Sequence, residues 1–125
     1  MKSIDTAALR ATWRDVLAAT CTDSEEFVIL QWGRPEAVLL SESKWLLGCT
    51  RVPVPETNQR LRAASDARSS LRAVRMAAHR GGQHTLIRKL YGTLFKDGSA
   101  AQLVAVIAPY DWVRISLPEL EDSVA

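Results

Sequence analysis

The chain has 125 residues, 47% of them hydrophobic, with 16 Lys/Arg against 14 Asp/Glu for a net charge of +2, and two cysteines. That is one domain's length with enough apolar side chains for a core, which excludes wholesale disorder; Cys21 and Cys49 fall in no CxxC or Cys/His spacing, exclude a disulfide framework, and read as buried or half-buried thiols. No apolar run approaches the roughly eighteen residues of a membrane span and the first ten residues lack the apolar stretch of a secretory signal, so a cytoplasmic protein is expected.

The small net charge hides an asymmetry. Residues 1–50 carry five Lys/Arg and seven Asp/Glu, residues 51–90 nine and two, and residues 91–125 two and five, giving −2, +7 and −3. A concentrated basic block is the electrostatic footprint of a nucleic-acid binder, and equally of an ordinary solvated helix face.

In chain order, the first element is a helix over "IDTAALRATWRDVLAAT". Leu9, Trp13, Val16 and Leu17 fall at i, i+4, i+7 and i+8 on one face, with Asp5 or Thr6 as cap and an end near Thr20. Next, Phe27–Leu30 and Ala37–Leu40 are short β-favouring runs on either side of Gly33-Arg34-Pro35, a hairpin signal in which Gly33 supplies the positive φ. "SESKWLL" starts a second helix with Ser41 or Ser43 as cap. "GCTRVPVPETNQ" then carries Val-Pro-Val-Pro, which favours extended backbone and reads as a linker. The helical period returns in "SDARSSLRAVRMAAHR", with Leu71, Val74 and Ala78 on one face and Gly81-Gly82 as the stop. "HTLIRKLY" reads as a strand, "GTLFKDGSAA" as a loop and "QLVAVIAP" as a further strand.

Helix, hairpin and short terminal element thus occur twice in the same order, which calls for a test of internal repetition. At an offset of 58, Arg10, Arg14, Val16, Ala19 and Ile29 fall without a gap on Arg68, Arg72, Val74, Ala77 and Ile87. Beyond a longer loop in the second copy, Ala37-Val38-Leu39 aligns with Ala105-Val106-Ile107 at an offset of 68.

The residues Ser3-Ile4, Arg10 to Leu17, Glu25-Glu26, Val28-Ile29 and "GRPEAVLLS" resemble the Phd/YefM antitoxins, whose DNA-binding domain opens with a short strand, a helix and a hairpin built on a Gly-Arg or Gly-Lys turn. The first copy is similar from Met1 to about Leu47. The second is similar from Ala67 to Trp112 through "ARSSL", "AAHRGGQHTLI" and "VAVIAPYDW", and lacks the short glycine hairpin.

The resemblance implies an α+β fold in which two such units, usually in separate subunits, share an antiparallel sheet. Here one chain would carry both as an intramolecular pseudo-dimer. Residues 1–50 form the first unit, 51–64 the linker, 65–115 the second unit and 116–125 a short acidic tail. It implies a DNA-binding transcriptional regulator of antitoxin type, autorepressing its operon and binding a partner toxin. The alternative is the same fold as a protein-interaction module without DNA binding, using the loop from Tyr91 to Gln102; a ligand-free scaffold is the third option.

Arg10 and Arg68 are the leading DNA contacts by family position, followed by Lys2 and Arg34, with Arg14, Arg72 and Arg75 as phosphate contacts. Arg10 and Arg14 repel at i, i+4 unless an anion offsets them, and the planar guanidinium fork suits phosphate oxygens and guanine edges. Ile115, Leu117 and Leu120 are the sizeable apolar anchors of the tail and the candidate partner-binding residues. The active species is expected to be a monomer or a weak higher oligomer.

Enzyme signatures are missing: the sequence has no glycine-rich phosphate loop, GxSxG or HExxH, and neither a cofactor nor a metal is expected, since His79 and His84 lack ligand-spaced partners. Trp13 belongs to a core face, Trp45 and Trp112 are expected against the sheet, and Trp32 beside the turn is the candidate exposed tryptophan.

Overall fold

A computed structural model describes residues 1–89 and 102–122. The loop assigned to "GTLFKDGSAA" therefore falls outside the described residues, as does all but Gln102 of the loop from Tyr91 to Gln102. The fold is α+β, with one mixed six-stranded sheet and, among the described residues, seven α-helices.

Strand β1 (Lys2–Asp5) leads into α1 (Thr6–Ala11) and α2 (Trp13–Asp23), then β2 (Phe27–Gln31), β3 (Arg34–Leu40) and α3 (Glu42–Arg51). A single turn of 3₁₀ helix (Glu56–Asn58) precedes β4 (Gln59–Ala63), α4 (Ala64–Ser69), α5 (Leu71–Gly81), β5 (His84–Lys89), β6 (Gln102–Pro109), α6 (Tyr110–Ser116) and α7 (Glu119–Asp122).

The expected caps form: the Asp5 carboxylate accepts from the Ala8 N–H at 2.7 Å and the Ser41 hydroxyl from the Lys44 N–H at 3.4 Å. Each long amphipathic run is two helices, because Thr12 and Ser70 leave helical geometry at the same dihedrals, φ −113° with ψ 20° and 21°. Each second helix ends on a left-handed residue, Ser24 (φ 55°) or Gly82 (φ 66°). The first hairpin turns on Trp32 (φ 53°) and Gly33 (φ 74°), the primed geometry that matches strand twist.

In the sheet order β1-β2-β3-β6-β5-β4 each half runs inward from its own edge in chain order, β1 to β3 from one side and β4 to β6 from the other. Lys2 pairs with Phe27 and, 58 residues on, Arg60 pairs with Thr85, both in parallel. The antiparallel pairs β2/β3 and β5/β6 each slip register, after Ile29 and after Ile87. Where β3 meets β6, Leu39 lies opposite Ile107, its own counterpart at an offset of 68.

Two expectations are corrected. The sheet is mixed rather than antiparallel, because each helix pair is a crossover that returns the chain parallel to the strand it left. The segment 51–64 is a linker only as far as the 3₁₀ turn, since Gln59–Ala63 is the edge strand β4. A parallel edge strand buries little, and "QRLRA" carries no strong strand signal.

Side chains alternate across the sheet into two cores. Ile29, Ala37, Leu39, Ile87, Ala105 and Ile107 pack under α1, α2, α4 and α5 together with Leu9, Trp13, Leu71 and Val74. Val28, Val38, Leu40, Leu86, Val106 and Ala108 face Trp45, Val113 and Leu117 from α3, α6 and the segment after it. The helices cross between halves: α2 packs on β6, α3 on β6 and α6 on β3. No helix among the described residues is long and apolar enough to cross a membrane.

Candidate nucleic-acid interface

The two helical layers differ in charge. Helices α1, α2, α4 and α5 hold six Lys/Arg against three Asp/Glu, a net of +3. On the opposite face α3, α6 and α7 hold three against five, a net of −2. Of the +7 in residues 51–90, α5 carries +3, β4 and β5 carry +2 each and α4 is neutral, and the fold sets the charge of α5 on the same side as that of α1.

Arg10 and Arg68 sit in the last turns of α1 and α4, where a cation is favoured by the negative end of the helix dipole. Both are exposed, and Arg68 Nε donates to the Arg10 carbonyl at 3.0 Å. That bond satisfies one of the last carbonyls of a short helix, which the helix itself cannot pair. Arg14 and Arg72 are exposed one turn further on, in the first turns of α2 and α5. A cleft of about 500 Å³ opens beside Arg72, lined by Ser69, Ser70, Ala73 and Met76. Among the described residues, no carboxylate lies within ion-pair distance of Arg10, Arg14, Arg68 or Arg72.

The remaining basic candidates divide. Arg34 is exposed at the start of β3 and has no carboxylate partner among the described residues. Lys2 lies at the other end of the neighbouring strands and pairs with Glu25 at 2.9 Å, a neighbouring carboxylate that competes with an anion for it. Arg75 is corrected: 5% exposed, it pairs with Glu36 at 2.7 Å beneath the hairpin and cannot reach a phosphate. It occupies the apolar side of α5, and a buried guanidinium is tolerated because Glu36, the extra residue at the β3 register slip, turns its carboxylate to meet it. His79 Nε2 stands 3.7 Å from the other oxygen of Glu36.

Arg60 is an exposed basic residue that the linker reading passed over. The signal for it was present, since the offset of 58 that carries Arg10 to Arg68 carries Lys2 to Arg60.

The tail residues are also corrected. Leu117 is 1% exposed and belongs to the second core, and Leu120 packs against the same core. The tail is docked as far as Glu121: Arg51 donates to the Ser116 carbonyl at 3.0 Å and to Glu119 at 2.6 Å, and the Tyr110 hydroxyl donates to Glu121. That last bond, with the charge of Glu121, holds the Tyr110 phenol above its ordinary pKa. Of the three proposed anchors only Ile115 is exposed, at 72%. Cys21 is exposed rather than buried, and Cys49 is half-buried with its thiol pushed up by burial.

Three of the four tryptophans serve the core. Trp13 donates to the Ala64 carbonyl at 3.0 Å, Trp45 Nε1 donates to His84 Nδ1 at 3.0 Å, and Trp112 donates to the Val52 carbonyl at 3.1 Å. His84 also meets Trp112 edge-on at 4.7 Å, and burial lowers its pKa to about 4, so it is the neutral acceptor that Trp45 needs. His84 and Trp112 line a cleft of about 300 Å³ together with Pro53, Val54 and Pro55.

Compared with family models, curated proteins and solved structures, the chain matches none.

Proposed function

We propose that the chain is a double-stranded-DNA-binding transcriptional regulator of antitoxin type, in which residues 1–51 and 59–116 act as two Phd/YefM-like units joined in one intramolecular pseudo-dimer. The observation that carries this reading is the hydrogen bond from Arg68 to the Arg10 carbonyl. It joins residues that occupy the same place in successive units, and it brings the guanidinium of one to the backbone of the other on the exposed basic layer. The repeated register and the self-paired Leu39–Ile107 position support the same arrangement.

In this reading the layer of α1, α2, α4 and α5 faces the duplex. Arg10 and Arg68 contact base edges or the phosphates beside them, and Arg14 and Arg72 contact phosphates. Arg34 and its counterpart Gln102 each stand five residues from the Leu39–Ile107 pair, roughly 17 Å in opposite directions. That spacing of about 34 Å end to end matches one turn of B-DNA, so outlying contacts would meet equivalent grooves.

Anisotropy titration against DNA from upstream of the coding sequence, at two salt concentrations, tests the proposal. About four phosphate contacts give a slope near −4 for log affinity against log salt, and Arg10→Ala with Arg68→Ala lowers it by about 2. No binding at low salt, or binding indifferent to the double substitution, overturns it.

A second reading has its own observation. Leu46 and Leu47 on α3 are 48% and 44% exposed, and with Ile115 on α6 they lie on the acidic layer, away from the basic one. A protein partner, including a toxin, would dock there rather than on the tail. Co-expression with the product of an adjacent gene, with and without Leu47→Glu and Ile115→Glu, tests this: loss of co-purification supports the surface, and unchanged co-purification removes it.

A further inference from the structure

Trp32 is 90% exposed, whereas Trp13 and Trp45 are 6% and 5% exposed. It also occupies the first position of the hairpin turn at φ 53°, in the left-handed region that Asn, Asp and Gly adopt readily and a bulky side chain does not. An indole that is both solvated and conformationally disfavoured contributes nothing to the fold at that position, and such outliers collect at binding sites. Among the described residues it stacks on no ring and no cation.

The tip that carries it is presented firmly. β2 and β3 are interior strands, and the register slip two residues behind Arg34 is locked by the buried Arg75–Glu36 pair. Such a slip re-aims the end of a hairpin. The immediate neighbours are Gln31, Gly33, Arg34 and Pro35, with Arg34 exposed and lacking a carboxylate partner among the described residues. The acids near the tip are engaged elsewhere, Glu36 with Arg75 and Asp5, opposite Leu30, in capping α1. The exposed guanidinium beside the indole favours an anionic partner, and in the reading above that partner is duplex DNA.

We propose that Trp32 is a wedge that enters a base step of duplex DNA, while Arg34 pairs with the phosphate or groove edge beside it. This rests on the DNA-binding reading above and adds to it a side chain that reads deformability. A ring inserted partway into a step unstacks it, so the favoured target is a flexible pyrimidine–purine step. The strand position that corresponds to Arg34 is Gln102, so the two halves differ in sequence there, and this predicts an asymmetric operator.

The test uses the full chain and duplexes of about 30 base pairs from upstream of the coding sequence, with 2-aminopurine substituted in turn at TA and CA steps. Wild type is expected to raise 2-aminopurine fluorescence at one step and to lose its iodide-quenchable tryptophan emission on binding. Trp32→Ala abolishes both signals and weakens binding roughly five- to a hundred-fold. Trp32→Asn, which suits the turn, gives the same loss with no loss of folding. Equal affinity of wild type and Trp32→Asn, with no change in either optical signal, overturns the wedge while DNA binding itself stands. Absence of any DNA binding by wild type at low salt overturns the regulator reading first, and the wedge with it.

Discussion

Glu26, just before β2, and Lys44 on α3 form an ion pair in the first half, whereas the corresponding positions of the second half, His84 and Trp112, meet as two aromatic rings 4.7 Å apart. The same exchange occurs below the hairpin, where Glu36 and Arg75 pair in one half and the corresponding residues of the other are Val104 and Leu17. Register, bulges and helix breaks match between the halves, whereas the side-chain caps Asp5 and Ser41 give way to Ala63 and Pro109, and facing side chains change in complementary pairs. A backbone frame of this kind constrains which two positions face one another, and asks only that the two be compatible with each other in charge and volume.

Breaking one member of such a pair should have the largest effect. Glu36→Ala leaves the Arg75 guanidinium buried without a counterion and is expected to cost about 3 kcal/mol in urea unfolding. Glu36→Val with Arg75→Leu, which gives the first half the residue types of the second, should recover most of that loss. A double variant no more stable than Glu36→Ala would mean that the two sites are not interchangeable.

Acid should then separate the halves. Folding holds His84 near pH 4 against its ordinary 6.5, so between those values the unfolded chain binds more protons. Its contribution is complete above pH 6.5 and falls away as pH drops to 4, by up to about 3 kcal/mol. The unfolding midpoint of His84→Asn should be flatter than wild type over pH 4–6.5, and parallel profiles would remove His84 as the cause.

The place where α3 meets α6 offers a smaller effect. A Cβ on Gly48 would stand 2.5 Å from the Trp112 ring and 3.1 Å from the Ser116 hydroxyl, and Ser116 is the residue that corresponds to Gly48. Gly48→Ala is expected to destabilise by about 2 kcal/mol through this overpacking. Trp112→Leu in the same chain should reverse part of that, and an unchanged penalty would point to the backbone instead.

The smallest expected effect has the opposite sign. Trp32→Asn removes a disfavoured left-handed tryptophan and should raise stability by about 0.5–1 kcal/mol, read as a shift in the urea midpoint. Gly33→Ala beside it should do the reverse at similar size, because φ 74° suits glycine and no neighbour within 4 Å stands in the way.

Much of this was legible in the residues. Leu9, Trp13, Val16 and Leu17 mark a buried helix face by spacing alone, and Gly33 and Gly82 mark the turn and the stop. The candidate surface was legible where the repeat was: Arg10 and Arg68 were found by one offset, and that offset, carried back to Lys2, points to Arg60. Arg75 was not legible, because the same helical face carries Leu71, Val74 and Ala78, and only a glutamate 39 residues earlier explains a charge there. Leu117 and Leu120 were hidden by the acids around them, which salt-bridge and hydrogen-bond the tail to Arg51 and Tyr110.

The sequence by itself determined the local elements, the tandem order of helix and hairpin, and the concentration of positive charge, since these depend on periodicity, caps and turn residues a few positions apart. Only the tertiary structure decided that β4 is a strand, that two of the strand pairings are parallel, and which arginines remain in water. Parallel pairing and burial join residues dozens of positions apart, and the free energy of a buried charge depends on the side chain brought opposite it rather than on its neighbours in the chain.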